Sequence, residues 1–446
     1  MSDDLSIFAA AGDAGDALAL RIGDQRFTFA QLAALTHRRL RALEAGAHQD
    51  TAYPLVATNT LETVVTLYAL LERRIPALLV HPRLTAPERV ALLETAARTR
   101  DFSYSGVAVV VHTSGTTGQP RGAVLTRSAL VASAQASAAN LGWQADDCWL
   151  LCMPIARVGG LSIVTRCLAA RRTVAVAPKF DAGLLPQWIA EHRATLLSVV
   201  PTMLTQLLDA HPAWTAPTHL RAILLGGAAA SARLLERAQD RGLPIVITYG
   251  LTETCSQVAA TRYDARFATS EHGAGMPLPG VQMRVVDGRI EVKGPMLMAG
   301  YWDAPALPPG GWFDTGDLGA IDARGCLHVE ARRMDLIVTG GENVYPAEVE
   351  RVLEACPGIA AAGVFGMPDE TWGHTVAAAL VAEQVPPADA ALVEYIGAQL
   401  APHKRPRQVC FIPRLPQTPA GKLDRLALPG LAQALRPLGR SRHVGA

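Results

Sequence analysis

Val107 to Val111 form a five-residue apolar run that feeds straight into Thr113-Ser-Gly-Thr-Thr-Gly-Gln-Pro-Arg-Gly122. A short apolar run stopped by a glycine-rich turn reads as a buried strand. Here the turn holds three glycines and four hydroxyl residues. The same texture recurs downstream. Leu196 to Val200, Ile223 to Leu225 and Pro244 to Tyr249 read as further buried strands, the last two running into Gly226–Gly227 and Gly250. Helical patterns lie between such runs: Phe29 to Leu43, with Leu32, Leu35, Leu40 and Leu43 on a partial helical spacing, and Ser128 to Asn140. Strands alternating with helices predict an α/β architecture.

After about residue 270 the pattern changes to shorter β-like pieces punctuated by Gly and Pro: Gln282 to Val286, Arg289 to Lys293 and Cys326 to Glu330. A hinge is expected around Arg332 to Asn343. Beyond it Pro346 to Cys356 reads as a helix, with Pro in the first turn, Val349, Val352 and Leu353 on one face, and Pro357 ending it. Strand-like Ala360 to Phe365 and Thr375 to Val381, then a helix from Ala388 to Leu400, complete a small α+β unit. The expected organisation is a large N-terminal body of α/β layers at 1–332, itself of several subdomains, and a small C-terminal domain at 333–446.

Composition narrows the function. The 446 residues are half hydrophobic, which excludes a disordered chain, and 41 basic residues balance 40 acidic ones. That balance gives no reason to expect nucleic acid or a membrane surface as partner. No apolar run reaches the ~18 residues that span a bilayer, and the start, Met-Ser-Asp-Asp, is acidic where a secretory signal would be basic. The seven cysteines form no Cys-x-x-Cys pair, so neither a zinc knuckle nor a disulfide framework is expected. A reduced, cytoplasmic enzyme is the expectation; its oligomeric state stays open, a homo-oligomer included. There is no Gly-x-Ser-x-Gly elbow and no His-Glu-x-x-His, which argues against an α/β-hydrolase and a zinc protease.

Glycines at 115, 118 and 122 would let backbone N–H groups approach a phosphate, with the hydroxyls as further donors. The string lacks the Gly-Lys-Ser/Thr of the mononucleotide P-loop, and taken alone it also fits a polar hairpin turn. Three other strings accompany it: Tyr249-Gly-Leu-Thr-Glu-Thr254; Gly311-Trp-Phe-Asp-Thr-Gly-Asp317, leading to Arg332 and Gly340-Gly-Glu-Asn-Val-Tyr-Pro346; and Pro419-Ala-Gly-Lys422. Together, in this order and over nearly the whole chain, they resemble the acyl-adenylating superfamily of acyl- and aryl-CoA ligases, carrier-protein adenylation domains and luciferases.

The resemblance implies two half-reactions. A carboxylate and MgATP give acyl-AMP and pyrophosphate; a thiol, usually CoA, then displaces AMP. It implies that Thr113, Ser114, Gly115, Thr116, Thr117, Gly118 and Arg121 cradle the phosphates, Arg121 standing where the family usually has Lys. Tyr249 would stack on adenine beside Gly226 and Gly227, and Thr252 would donate to the α-phosphate. Glu253 would hold Mg²⁺, although Thr252-Glu253 alone also reads as the capped start of a helix. Asp317 would accept the ribose hydroxyls, Arg332 would contact ribose or phosphate, and Gly341 would let the pantetheine arm pass. Lys422 would stabilise negative charge as the two anions react. The small domain would rotate about Arg333 and Met334, a position where many relatives carry Asp, Lys or Ser. Loading of a carrier protein instead of CoA stays open, as does another aryl or small acid.

Finer likeness points to the o-succinylbenzoate–CoA ligases of menaquinone biosynthesis. It rests on Tyr249 to Gln257, Leu224 to Ala228, Val158 to Ile163 and Thr339 to Glu350. That group usually reads Pro-x-Phe-His-Val before the glycine pair; here Pro154 is followed by Ile155, Ala156 and Arg157. Arg157 would meet an anionic substrate or CoA phosphate, or pair with a nearby acid and preserve packing.

Overall fold

The structure is a computed structural model. It describes residues 4–43, 52–84, 89–90, 92–94, 96, 106–113, 121–266, 273–332, 337–339, 342–369, 373–400, 402–418 and 421–438.

The expected α/β layering is present as four sheets. In the nine-stranded sheet, Ile245–Leu251, Ala222–Leu225, Leu196–Val199, Cys148–Leu151, Thr173–Val176 and Leu18–Ile22 lie side by side in that order, all parallel. Their inner strands are buried along their whole length, the pattern parallel strands show when both faces are covered. Antiparallel edge strands close the sheet, Ser256–Ala260 with Met276–Pro277 at one side and Gln25–Thr28 at the other.

A five-stranded sheet carries Val107–Thr113 at its centre, parallel to Ala77–Val80 and antiparallel to Arg121–Thr126. One core of buried residues joins these two sheets, from Leu5 and Phe29 through Val109, Trp149 and Leu224 to Leu327. An antiparallel four-stranded sheet, Gln282–Val286, Arg289–Lys293, Phe313–Ile321 and Leu327–Arg332, follows.

The fourth sheet contains only residues beyond 336. Its long hairpin pairs Ile359–Asp369 with Gly373–Ala382 and backs onto the helices Pro346–Glu354 and Asp389–Gln399 around a separate core of Val349, Leu353, Val364, Leu380 and Ile396. Polar contacts between the large body and the small unit include the following two. Thr202 Oγ1, on the helix Pro201–Ala210, donates to the Gly421 carbonyl. Arg233, on Ala232–Gln239, pairs with Glu383.

All seven cysteines are buried and none is in a disulfide. Among the described residues no helix is long and apolar enough to cross a membrane.

Candidate active site

In parallel sheets ligands collect where strands end at their carboxyl edge. Here the strands ending at Val199 and Leu225, with Tyr249 on the next strand, open onto one cleft that the small unit closes. Gly227 turns the chain after Ala222–Leu225 with φ of +81°, a conformation suited to glycine. A Cβ there would stand 3.3 Å from Lys422 Cε and 3.6 Å from its Nζ. Lys422 is thus laid against the glycine turn of the large body. Its own turn is fixed by Thr418 N to the Lys422 carbonyl at 2.7 Å and Gly421 N to the Thr418 carbonyl at 2.8 Å, and from the other side by Thr202. Gly226 serves packing: a Cβ there would lie 2.2 Å from Thr248 Oγ1.

Tyr249 is both a core residue and a site residue. Its ring is buried in the main core, and its hydroxyl donates to Asp317 Oδ2 at 2.8 Å. Asp317 is itself buried, with its backbone set opposite Arg332 across the strand pair. The two candidates for adenine and ribose are therefore one hydrogen-bonded unit. One carboxylate oxygen already accepts the phenol, so a ribose hydroxyl would share that oxygen's second lone pair or use Oδ1.

Thr252 and Glu253 occupy a single 3-10 turn, Thr252–Thr254, where the strand Ile245–Leu251 ends. Thr252 and Glu253 do not start a capped helix: the Thr254 hydroxyl accepts from Leu251 N at 2.9 Å, and a strand follows the turn. Thr252 stays half-buried. Glu253 is buried; its carbonyl accepts from Met298 N at 2.7 Å and its Oε1 from the Tyr301 hydroxyl at 2.7 Å. Burial, then the Glu253 charge and this hydrogen bond, push the Tyr301 phenol well above its ordinary range.

Arg121 connects this turn to the glycine-rich string. It opens the strand Arg121–Thr126, opposite Thr113 at the end of the central strand. Its guanidinium lies 3.6 Å from the Tyr301 ring centroid, and Asp303 pairs with it at 3.6 Å. A planar guanidinium stacks on a ring in a way an ammonium does not, which gives this arginine a local reason. Gly122 is needed for something other than phosphate: a Cβ there would meet the Trp302 indole at 2.7 Å. Ser114, Gly115, Thr116, Thr117 and Gly118 lie outside the described residues, as do Gly341, Arg333, Met334 and the side chains of Thr113 and Arg332.

Arg157 stands before the helix Val158–Ala170 and donates through Nη1 to the His112 carbonyl at 3.0 Å. Among the described residues no acid pairs with it. His112 packs edge-on to Trp302, with centroids 4.7 Å apart. Burial and the Arg157 charge lower the pKa of His112 to about 4, leaving it neutral near pH 7. Sequence reasoning missed Tyr301, Trp302 and His112; the only signal was an aromatic pair, Tyr301-Trp302, between Gly300 and Asp303.

Similar proteins place the chain in a family. A family model described as AMP-binding enzyme matches residues 96–302, and one described as AMP-binding enzyme C-terminal domain matches 348–422. The chain is 39% identical over 356 residues to a 2-succinylbenzoate–CoA ligase of Bacillus cereus, covering 77% of this chain and 73% of that one. It is 40% identical over 343 residues to the same-named protein of Bacillus cytotoxicus, covering 74% and 71%. Among solved structures, o-succinylbenzoate CoA synthetase from Bacillus subtilis in complex with the acyl-adenylate intermediate OSB-AMP superposes with a TM-score of 0.85 at 32% identity, over 96% of this chain and 98% of that one. ATP-bound MatB from Rhodopseudomonas palustris gives 0.86 at 28% identity, over 96% and 98%.

Proposed function

We propose, from the premise that this chain belongs to the family of AMP-binding enzymes, that it is an ATP-dependent acid–CoA ligase working through an acyl-adenylate, with o-succinylbenzoate as its acid. The observation that carries the reading is Lys422 laid against the Gly226–Gly227 turn, beside the strand end that bears Tyr249, Thr252 and Glu253. A carboxylate attacking the α-phosphate of ATP brings two anions together. An ammonium fixed at that meeting point stabilises charge as it develops, at no cost of reorganisation at the moment of reaction.

In this reading the buried Tyr249–Asp317 pair receives adenine and ribose, with Arg332 beside the ribose. Thr252 donates to the α-phosphate, Arg121 and the loop from Thr113 to Gly118 take the outer phosphates, and Gly341 borders the path of CoA. Residues 1–332 form the body that binds nucleotide and acid, and 333–446 the domain that turns to admit the thiol. Mg²⁺ would neutralise phosphate charge. Glu253 fits it: a buried hard oxygen donor whose other oxygen is oriented by Tyr301. No cluster of three acidic, His or Cys residues stands there among the described residues, which suits an ion that takes most of its ligands from phosphates and water.

Tyr301→Phe removes the hydroxyl that orients Glu253. The Mg²⁺ concentration for half-maximal adenylate formation is expected to rise about tenfold, with the KM for the acid unchanged. An unaltered Mg²⁺ dependence would remove Tyr301 from this role.

The function itself is tested by AMP and acyl-CoA formation with MgATP and CoA across a panel of acids. Strong preference for o-succinylbenzoate supports the reading. Preference for another acid would assign the change to Ala156 and Arg157, and adenylate without acyl-CoA would point to a carrier protein.

A further inference from the structure

A cavity of about 320 Å³ borders the docked turn, and none of the nucleotide candidates lines it. Its wall includes Arg83, Lys179 and His81 from the large body, and Gln417, Thr418 and Gly421 from the turn that carries Lys422. No carboxylate lines it among the described residues. The floor is rigidly built. Asn59 donates to the Met153 and Ala177 carbonyls at 3.1 and 3.0 Å and accepts from Ile155 N at 3.1 Å, tying together the loops after two neighbouring strands.

His81 has the feature that points to an occupant. It is 7% exposed, its Nδ1 accepts from Arg83 N at 3.2 Å, and its Nε2 is buried with no partner among the described residues. A ring whose Nδ1 accepts carries its proton on Nε2. Burial, then the charges of Arg157 and Arg83, lower its pKa to about 4, so near neutral pH the ring is an uncharged donor. A buried donor left unpaired costs stability, and two cationic side chains line the same space.

We propose that this cavity is an oxyanion chamber of the ligase, in which Arg83, Lys179 and the His81 Nε2–H hold a carboxylate of the acid or a phosphate of the thiol. The assignment rests on the ligase reading above. The carboxylate is the expected occupant, because Gly421 and Thr418 complete the wall while Lys422 is docked, the arrangement in which the acid is activated. A dicarboxylic acid would then reach from Lys422 at one end to Arg83 and Lys179 at the other.

Calorimetric titration of o-succinylbenzoate, CoA and MgATP separately into wild type, Arg83→Ala and Lys179→Ala tests this without turnover. Both side chains are exposed, so the variants should fold. Each is expected to bind o-succinylbenzoate about tenfold more weakly, as loss of a charge-assisted contact predicts, with MgATP binding within about twofold of wild type. The same loss on CoA instead would name phosphate as the occupant and also support the chamber. Unchanged binding of both, or an equal loss for MgATP, would overturn it. A wild type that binds the acid but never converts it would sink the ligase reading alone.

Discussion

Replacing Lys422 with alanine is expected to lower acyl-adenylate formation by about 10²–10³-fold, the cost of removing one preorganised group that stabilises charge in a transition state. The reasoning is positional. Gly421 takes a φ of +77° and Lys422 follows it in a turn tied to Thr202 on the large body. The side chain then runs along Gly227, where any Cβ would crowd it at 3.3 Å. Its charge reaches the cleft only while the small unit is docked in this way. Thioester formation from supplied acyl-AMP breaks a different bond and should keep most of its rate. ATP–pyrophosphate exchange reads the first half-reaction, and acyl-CoA release from synthetic acyl-AMP reads the second. Equal loss in both, in a variant with wild-type thermal unfolding, would show that Lys422 supports the docked structure and not the chemistry.

Where the signal was local, the sequence was a good guide. Phe29–Leu43 is a helix over the residues its leucine spacing marks. Gln282–Val286 and Arg289–Lys293 are strands with the expected bounds, because Asp287 and Gly288, both at positive φ, close them into a hairpin. The hairpin of the small unit was underread. Ile359–Asp369 runs through Gly366 and Pro368, residues that normally argue against a strand, and is extended by its partner strand as far as the Asp369–Gly373 pair.

The site shows the same division. Gly227, Tyr249, Asp317 and Lys422 could be found from motifs because each has its chemistry in a short string. Their partners could not. Tyr301 reaches Arg121 and Glu253 only because a two-residue strand, Gly300–Tyr301, pairs with Ala123 and Val124 far away in sequence. His81 becomes an unpaired donor only once burial has stripped it of water. Such contacts are products of the packed fold, and no periodicity announces them.

Arg221→Met is the substitution expected to destabilise the large body most, by about 3–5 kcal/mol, since it leaves a buried carboxylate without its cation. Asp147 accepts from Arg221 Nε at 2.8 Å and Nη2 at 2.6 Å, and from Thr195 Oγ1 at 2.7 Å. Its side chain is fully buried and that of Arg221 is 8% exposed. These three residues immediately precede the parallel strands Cys148–Leu151, Ala222–Leu225 and Leu196–Val199. The cluster therefore clamps the amino ends of the strands whose carboxyl ends border the cleft. Burial alone would raise the Asp147 pKa, but the hydrogen bonds from Arg221, Gln144 N and Thr195, with the Arg221 charge, outweigh it and hold the carboxyl below its usual value. A depressed folded pKa adds stability that is fully present above the unfolded value of about 3.9 and fades as pH falls through the folded one. In Arg221→Met the lowering effect of the cation is gone and burial raises the Asp147 pKa instead, so the variant regains stability as the carboxyl takes up its proton. The gap to wild type in urea unfolding should thus be widest near neutral pH and narrow steadily as the pH falls towards about 4. Removing both partners as Asp147→Leu with Arg221→Met should recover much of the loss, because two apolar groups leave no charge unpaired. A double variant no more stable than the single one would mean that strand-end geometry, and not the buried charge, sets the cost.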